Sequence, residues 1–126
     1  METLQGKIVL LADDDNNNVY ALLAALEDVG LEIIVATNGI EALRKLGEME
    51  KVDIVLMDIM MPEMDGFEAM RVIRSNKKYT DLPIIALTAK AMKGDIEKCL
   101  EAGATGYLSK PIDVEKLLEL IEDLLN

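Results

Sequence analysis

Five short apolar runs alternate with five longer amphipathic stretches along this chain of 126 residues. Each run has the length and composition of a buried strand, and each longer stretch has the apolar spacing of a helix. The predicted strands are 7–12, 32–37, 54–58, 84–88 and 106–109. The predicted helices are 17–29, 40–48, 66–75, 93–102 and 114–125. Strict alternation of this kind predicts an α/β fold with a parallel sheet, helices on both faces and right-handed crossovers.

The number of strands also predicts their order in the sheet. For five parallel strands the commonest doubly wound arrangement is the flavodoxin-like (βα)5 order 2-1-3-4-5. A chain of 126 residues has the size of one domain. We therefore expect a single domain over residues 1–126, with no output domain.

Charged residues stand where three of the predicted strands end. Asp58 ends a run of apolar residues, Asp13 and Asp14 follow the first strand, and Lys110 follows the last. In the predicted order, strands 1 and 3 are neighbours at the switch point, so the three carboxylates should meet there. Carboxylates a few ångströms apart raise one another's pKa unless a cation separates them. The oxygen ligands favour Mg²⁺, which also keeps water positions free for a phosphate.

The same edge of the sheet carries the groups that phosphoryl transfer needs. Asp58 is a carboxylate suited to attacking phosphorus beside a Lewis acid. Thr88 ends the fourth strand and can donate a hydroxyl hydrogen bond, while Lys110 can place an ammonium on the phosphoryl oxygens. The sequence therefore predicts an aspartyl phosphate.

The composition excludes several other kinds of protein. The chain has no histidine, which removes histidine-ligated metal sites and histidine-activated nucleophiles. Any phosphohistidine must then come from another molecule or domain. A net charge of −11 argues against nucleic acid and anionic membranes as direct partners. One cysteine allows no internal disulfide and fits a reducing, cytoplasmic setting.

Four motifs, in order along the chain, are similar to a known family. They are the pair Asp13-Asp14, LMDIMMPEMDG at 56–66, ALTA at 86–89 and YLSKP at 107–111. With them, the whole chain resembles the receiver domains of two-component response regulators. The stretch ALTAKAMKGDIEKCLEAGA at 86–104 is most similar to receiver domains of hybrid sensor histidine kinases.

The resemblance implies a role for each residue of the acidic cluster. Asp58 would be the phosphoacceptor. Asp14 would bind Mg²⁺ directly, Asp13 would act mostly through water, and the backbone carbonyl of Met60 would complete the protein ligands. Mn²⁺ would be an alternative ion.

The resemblance also implies a conformational switch. Thr88 and Lys110 would contact the phosphoryl group, and Tyr107 would turn inward as Thr88 moves. The peptide bond between Lys110 and Pro111 would be cis. The surface of helix 4, strand 5 and helix 5 would then change for a downstream protein that the sequence does not identify.

The implied partner is a sensor histidine kinase or a histidine phosphotransfer protein, and the chain would be a monomer or a weak phosphorylation-dependent dimer. At most, the domain would phosphorylate itself from small phosphodonors in the presence of Mg²⁺. Met60 and Lys90 occupy the positions that tune phosphate lifetime in the family. Neither side chain can act as a general base on water, so we expect slow self-dephosphorylation.

Two alternatives remain at this point. Asp13 and Asp15 form an Asp-x-Asp pattern, as in phosphohydrolases of the haloacid dehalogenase kind, although asparagines follow where that family has Thr or Val and Gly. A degenerate receiver that only binds proteins is the other, although such a domain would normally have lost an acid or the lysine. The run Asn16-Asn17-Asn18 borders the predicted site, and the sequence leaves open whether it does more than begin a helix.

Overall fold

The computed structural model describes residues 4–89 and 92–126 and contains five strands and five helices in strict alternation. The strands are β1 (Ile8–Ala12), β2 (Glu32–Ala36), β3 (Ile54–Asp58), β4 (Ile84–Thr88) and β5 (Gly106–Ser109). The helices are α1 (Asn16–Asp28), α2 (Gly39–Glu48), α3 (Gly66–Ser75), α4 (Lys93–Ala102) and α5 (Val114–Leu125). A short 3-10 helix, Lys77–Tyr79, follows α3 and was not predicted. The other predicted boundaries are within one residue of these.

The strands form one parallel sheet in the order β2-β1-β3-β4-β5, which confirms the predicted flavodoxin-like order. Strands β3 and β4 are buried along their whole length, because helices cover both faces of the sheet. The carboxyl ends of β1 and β3 are adjacent, with Ala12 opposite Met57. The residues that follow these two strands therefore lie side by side.

Alternate residues of the central strands face two separate cores. Leu10, Val55 and Met57 pack towards α2, α3 and α4, in the cluster that also contains Cys99. The intervening residues pack towards α1 and α5. Cys99, the single cysteine of the chain, is buried in this core.

Short polar residues determine where four of the helices begin. Their side chains accept hydrogen bonds from backbone N–H groups in the first turn, as N-caps do. They are Asp15 for α1, Asn38 for α2, Asp65 for α3 and Asp113 for α5. Helix α4 begins after Met92, which offers no such bond, and ends at Gly103 in the left-handed conformation. Within the described ranges, no helix has the length and apolar character needed to cross a membrane.

Candidate functional site

Three carboxylates meet at the carboxyl edge of the sheet, at the ends of β1 and β3. Ligand oxygens of Asp13, Asp14 and Asp58 all lie within 4.8 Å of one another. Asp13 and Asp58 are 1% and 2% exposed, whereas Asp14 is exposed. The structure thus brings together the three acids that the sequence pointed to, with two of them removed from water.

Lys110 reaches this cluster from the end of β5. Its Nζ lies 3.0 Å from Oδ2 of Asp58 and 3.6 Å from Oδ2 of Asp13. The backbone N–H of Lys110 donates to the carbonyl of Thr88 at 2.7 Å, which fixes the start of the side chain. The Lys110–Pro111 peptide bond is cis, as the resemblance implied. One ammonium therefore stands between two buried carboxylates.

The electrostatics of the cluster are unbalanced. Burial raises the pKa of Asp58 to about 6, and the neighbouring charge of Asp13 adds to this effect, while the hydrogen bond from Lys110 opposes it. Burial would lower the pKa of Lys110, but its contacts with Asp58 and Asp13 raise it overall. Three acids share one cation here, so a further positive charge would reduce the repulsion among them. Oxygen donors of this kind, two buried and one open to water, fit a hard divalent ion.

The loop after β3 folds back over the phosphoacceptor candidate. The backbone N–H of Met60 donates to Oδ1 of Asp58 at 3.2 Å, and that of Gly66 donates to the carbonyl of Ile59 at 3.0 Å. A Cβ on Gly66 would lie 2.3 Å from the carbonyl oxygen of Asp58, so only glycine allows this close approach. The side chain of Met60 is 72% exposed. Lys90, the other position linked to phosphate lifetime, lies outside the described residues.

Thr88 and Tyr107 lie on neighbouring strands but in different environments. Thr88 is buried at the end of β4 and lines a cavity of about 230 Å³ between the loops that follow β3 and β4. Tyr107, on β5, pairs with Ala86 of β4 and is 37% exposed. It lines a surface depression together with Pro111 and Lys116. The structure therefore has Tyr107 on the outer surface rather than turned inward.

Sequence reasoning did not identify two residues that shape the site. Asn18 donates a side-chain hydrogen bond from Nδ2 to Oδ2 of Asp13. Asp15 donates its backbone N–H to Oδ1 of Asp13 at 2.9 Å, and its own carboxylate caps α1. The polar run at the start of α1 was the only signal, and it did not distinguish a cap from a contact with the site.

The comparisons with known proteins agree with this geometry. A family model described as the response regulator receiver domain matches residues 9–122. The chain belongs to this family. Receiver domains act in two-component signalling together with histidine kinases or phosphotransfer proteins, so this is a signalling phosphoacceptor domain rather than a conventional enzyme. The haloacid dehalogenase and degenerate-receiver alternatives are not favoured.

The relatives differ in how much of their own length this chain matches. The chain is 35% identical to Histidine kinase 3 of Arabidopsis thaliana over an alignment of 143 positions, gaps included, which covers 98% of this chain and 14% of that protein. It is 37% identical to the polar-differentiation response regulator DivK of Brucella anthropi, over 94% of this chain and 96% of DivK. The receiver domain thus resembles a small part of one relative and nearly all of another.

One similar solved structure contains a metal ion in its active site cleft. It is the receiver domain of the sensor histidine kinase PA1611 from Pseudomonas aeruginosa PAO1, with a magnesium ion coordinated in its active site cleft. The two are 37% identical, with a TM-score of 0.87 over 95% of this chain and 98% of that one. The predicted similarity to receivers of sensor histidine kinases is confirmed.

Proposed function

We propose that Asp58 accepts a phosphoryl group from a phosphohistidine on a sensor histidine kinase or histidine phosphotransfer protein. A carboxylate oxygen of Asp58 attacks phosphorus, forming a P–O bond as the P–N bond of the donor breaks and the imidazole leaves with its electron pair. The observation that carries this proposal is the Lys110 ammonium, 3.0 Å from a buried Asp58 carboxylate with two further acids beside it.

The remaining residues of the site would hold the ion and the transferred group. Asp13, Asp14 and Asp58, with the backbone carbonyl of Met60, are the proposed ligands for Mg²⁺, or for Mn²⁺ in its place. Bound there, the ion would neutralise charge on the phosphoryl oxygens.

Lys110 and Thr88 would then act on the phosphoryl group itself. Lys110 already stands beside the attacking carboxylate, where its ammonium can bind a phosphoryl oxygen as negative charge accumulates. The Thr88 hydroxyl, at the end of the neighbouring strand, can donate to another of these oxygens. Both residues act by binding and orientation, which supply most of the catalysis in phosphoryl transfer.

The output would follow from a two-state element biased by the new negative charge. When Thr88 moves towards the phosphoryl group, Tyr107 would leave its exposed position, and the surface of α4, β5 and α5 would change for a downstream protein. We expect a cytoplasmic monomer or a weak phosphorylation-dependent dimer, with no direct nucleic-acid or membrane contact. The net charge of −11 supports the expected lack of nucleic-acid and membrane contact, and the general behaviour of the family supports the expected location and oligomeric state.

The experiment that tests Asp58 is the intact mass of the protein after incubation with acetyl phosphate and Mg²⁺. We expect one added phosphoryl group, absent from Asp58→Asn and from a sample with EDTA. Asp65→Asn is a matched control, because it makes the same substitution in the loop that follows β3 and asparagine preserves the cap of α3. An adduct that persists in Asp58→Asn would contradict the proposal.

The same assay follows the loss of the phosphoryl group. The exposed Met60 side chain has no group that can take a proton from water, so we expect slow self-dephosphorylation. The measurement is the decay of the adduct mass after the phosphodonor is removed. A half-life of seconds without a phosphatase would contradict this expectation.

A further inference from the structure

Both oxygens of the Asp13 carboxylate are engaged by neutral donors. Oδ1 accepts from the backbone N–H of Asp15 at 2.9 Å, and Oδ2 accepts from the side-chain amide of Asn18. The Asp13 side chain is 0% exposed, so these donors take the place of bulk water around it. Asn18 is half-buried in the first turn of α1, and it is the side chain that provides the second of these hydrogen bonds.

Oδ2 of Asp13 also faces the ammonium of Lys110. Lys110 Nζ lies 3.0 Å from Oδ2 of Asp58, to which it donates a hydrogen bond, and 3.6 Å from this oxygen, with which it forms a longer ion pair. A buried carboxylate that loses a hydrogen-bond donor pays a desolvation cost unless another donor replaces it. Within the described part of the chain, Lys110 is the charged group beside this oxygen, and the hydrogen bonds that orient the Asp13 carboxylate come from Asn18 and Asp15.

We propose that Asn18 is a positioning residue of the acidic site, which holds the buried Asp13 carboxylate in the orientation that a divalent cation meets. The inference rests on the proposed function, since it concerns the same acids and the same lysine. With Asn18 present, both oxygens of Asp13 are oriented by hydrogen bonds before a divalent cation binds. Without Asn18, Oδ2 loses its amide donor and is drawn towards the Lys110 ammonium 3.6 Å away, so the cation must compete with a tighter ion pair.

The first turn of α1 holds Asn18 in the orientation that this role needs. The carboxylate of Asp15 accepts hydrogen bonds from the backbone N–H groups of Asn17 at 3.0 Å and Asn18 at 3.4 Å. The turn from Asp13 to Asn18 is therefore closed by hydrogen bonds at both ends. Asn17 is in the same turn, but its side chain is exposed and hydrogen-bonds to none of the described residues. It provides a matched control.

The test measures Mg²⁺ affinity of the unphosphorylated full chain by isothermal titration calorimetry with MgCl₂. Two variants remove the donor, Asn18→Ala and the similarly sized Asn18→Leu, and Asn17→Ala removes the same group from the neighbouring position. Changing a residue that orients a metal ligand typically costs at least about 10-fold in affinity. We expect a loss of that size in both Asn18 variants and none in Asn17→Ala.

Thermal unfolding in EDTA separates positioning from a structural role. The proposal requires that the Asn18 variants lose Mg²⁺ affinity while their metal-free unfolding midpoints stay close to that of Asn17→Ala. Wild-type affinity in both Asn18 variants would overturn it, as would an affinity loss matched by a fall in the metal-free midpoint or shared by Asn17→Ala. The titration contains no phosphodonor, so it does not depend on phosphoryl transfer. A wild-type chain that binds Mg²⁺ here but gains no phosphoryl group from acetyl phosphate would overturn the proposed function and not the role of Asn18.

Discussion

Asp13 and Asp58 stand beside the same ammonium but depend on it to different degrees. Asp13 has neutral donors on both oxygens, whereas Asp58 has Lys110 and one backbone N–H, from Met60. Burial raises the pKa of Asp58 to about 6, and the hydrogen bond from Lys110 opposes this rise. Only the ionised carboxylate is a nucleophile, so Lys110 and a bound cation would both favour the reactive form of Asp58.

This pKa predicts how stability depends on pH in the absence of metal. The folded-state pKa of about 6 lies above the ordinary value of 3.8, so the favourable contribution of Asp58 is complete below pH 3.8 and lost as the pH rises through 6. We expect Asp58→Asn to raise the unfolding midpoint at pH 7.5 in EDTA, by an amount that shrinks as the pH falls towards 4. The measurement is thermal unfolding across this range. If Asp58→Asn raised the unfolding midpoint by the same amount at every pH, the gain would not come from ionisation of the buried Asp58 carboxylate.

Arg74 connects three segments on the side of the sheet opposite α1 and α5. Its guanidinium donates to the carbonyls of Gly103 at 2.9 Å and Tyr79 at 2.7 Å, and to the hydroxyl of Thr105 at 3.3 Å. These bonds hold the end of α4 and the 3-10 helix against α3. Hydrogen bonds to a charged group contribute about 1.5–3 kcal/mol each where they are shielded from water, and these are only partly buried or exposed, so together they contribute less than that sum.

We therefore expect Arg74→Ala to lower the free energy of unfolding by about 2–4 kcal/mol, because several partly buried acceptors lose their donor. Arg71→Ala is the matched control. Arg71 lies on the same helix, is exposed and forms no hydrogen bond or ion pair with the described residues, so its loss should change stability by less than about 0.5 kcal/mol. Urea denaturation measures both, and equal effects would show that the hydrogen bonds of Arg74 contribute little.

Among the five helices, α4 is held differently at its two ends. Its carboxyl end is fixed by Gly103 and by Arg74, whereas its amino end, near the acidic site, begins after an uncapped Met92. The other four helices begin with an Asp or Asn cap. An uncapped first turn opens more easily than a capped one, so the end of α4 nearer to Thr88 is its less stable end.

Capping α4 should stabilise it. Met92 has an extended backbone, with φ of −71° and ψ of 154°, and is 72% exposed, so serine fits there without strain. We expect Met92→Ser to raise the free energy of unfolding by about 0.5–1 kcal/mol. Met60→Ser is the matched control, because Met60 is equally exposed but begins no helix. A gain in both variants would indicate a general effect of removing exposed methionine.

Element boundaries followed from local signals that the sequence contains. Apolar runs and cap residues placed every strand and helix within one residue, since periodicity and capping act over a few positions. The 3-10 helix Lys77–Tyr79 was missed because three residues are too few to show a periodicity, although Asn76 caps it locally. The carbonyl of Tyr79 accepts from Arg74, and its hydroxyl donates to the carbonyl of Leu46 on α2 at 3.3 Å.

The molecule as a whole is strongly acidic, with a net charge of −11. Three carboxylates are gathered at one edge of the sheet, where their repulsion opposes folding. A ligand that binds only the folded chain stabilises it by mass action, by about 2.7 kcal/mol at one hundred times its dissociation constant. Metal binding and folding stability are therefore linked in this protein.

We expect saturating Mg²⁺ to raise the unfolding midpoint of the wild-type chain by roughly 5–10 °C, which follows from this linkage and the size of the domain. Asp14→Ala, which removes the exposed acid of the cluster, should lose most of that increase. KCl at equal ionic strength is the control for general screening. An equal rise in KCl and MgCl₂ would show that screening, and not a bound ion, is responsible.

The sequence alone determined the order of elements, the sheet topology and the edge at which the acids meet. It could do so because buried strands and amphipathic helices follow local periodicity, and because parallel strands all present their carboxyl ends at one edge. Only the tertiary structure decided which donor serves which acid. Lys110 is 97 residues from Asp13 and 52 from Asp58, and its choice between them depends on differences of less than an ångström. Such distances are determined by the packing of the whole sheet, and by the Asn18 amide that reaches Asp13 once α1 has packed.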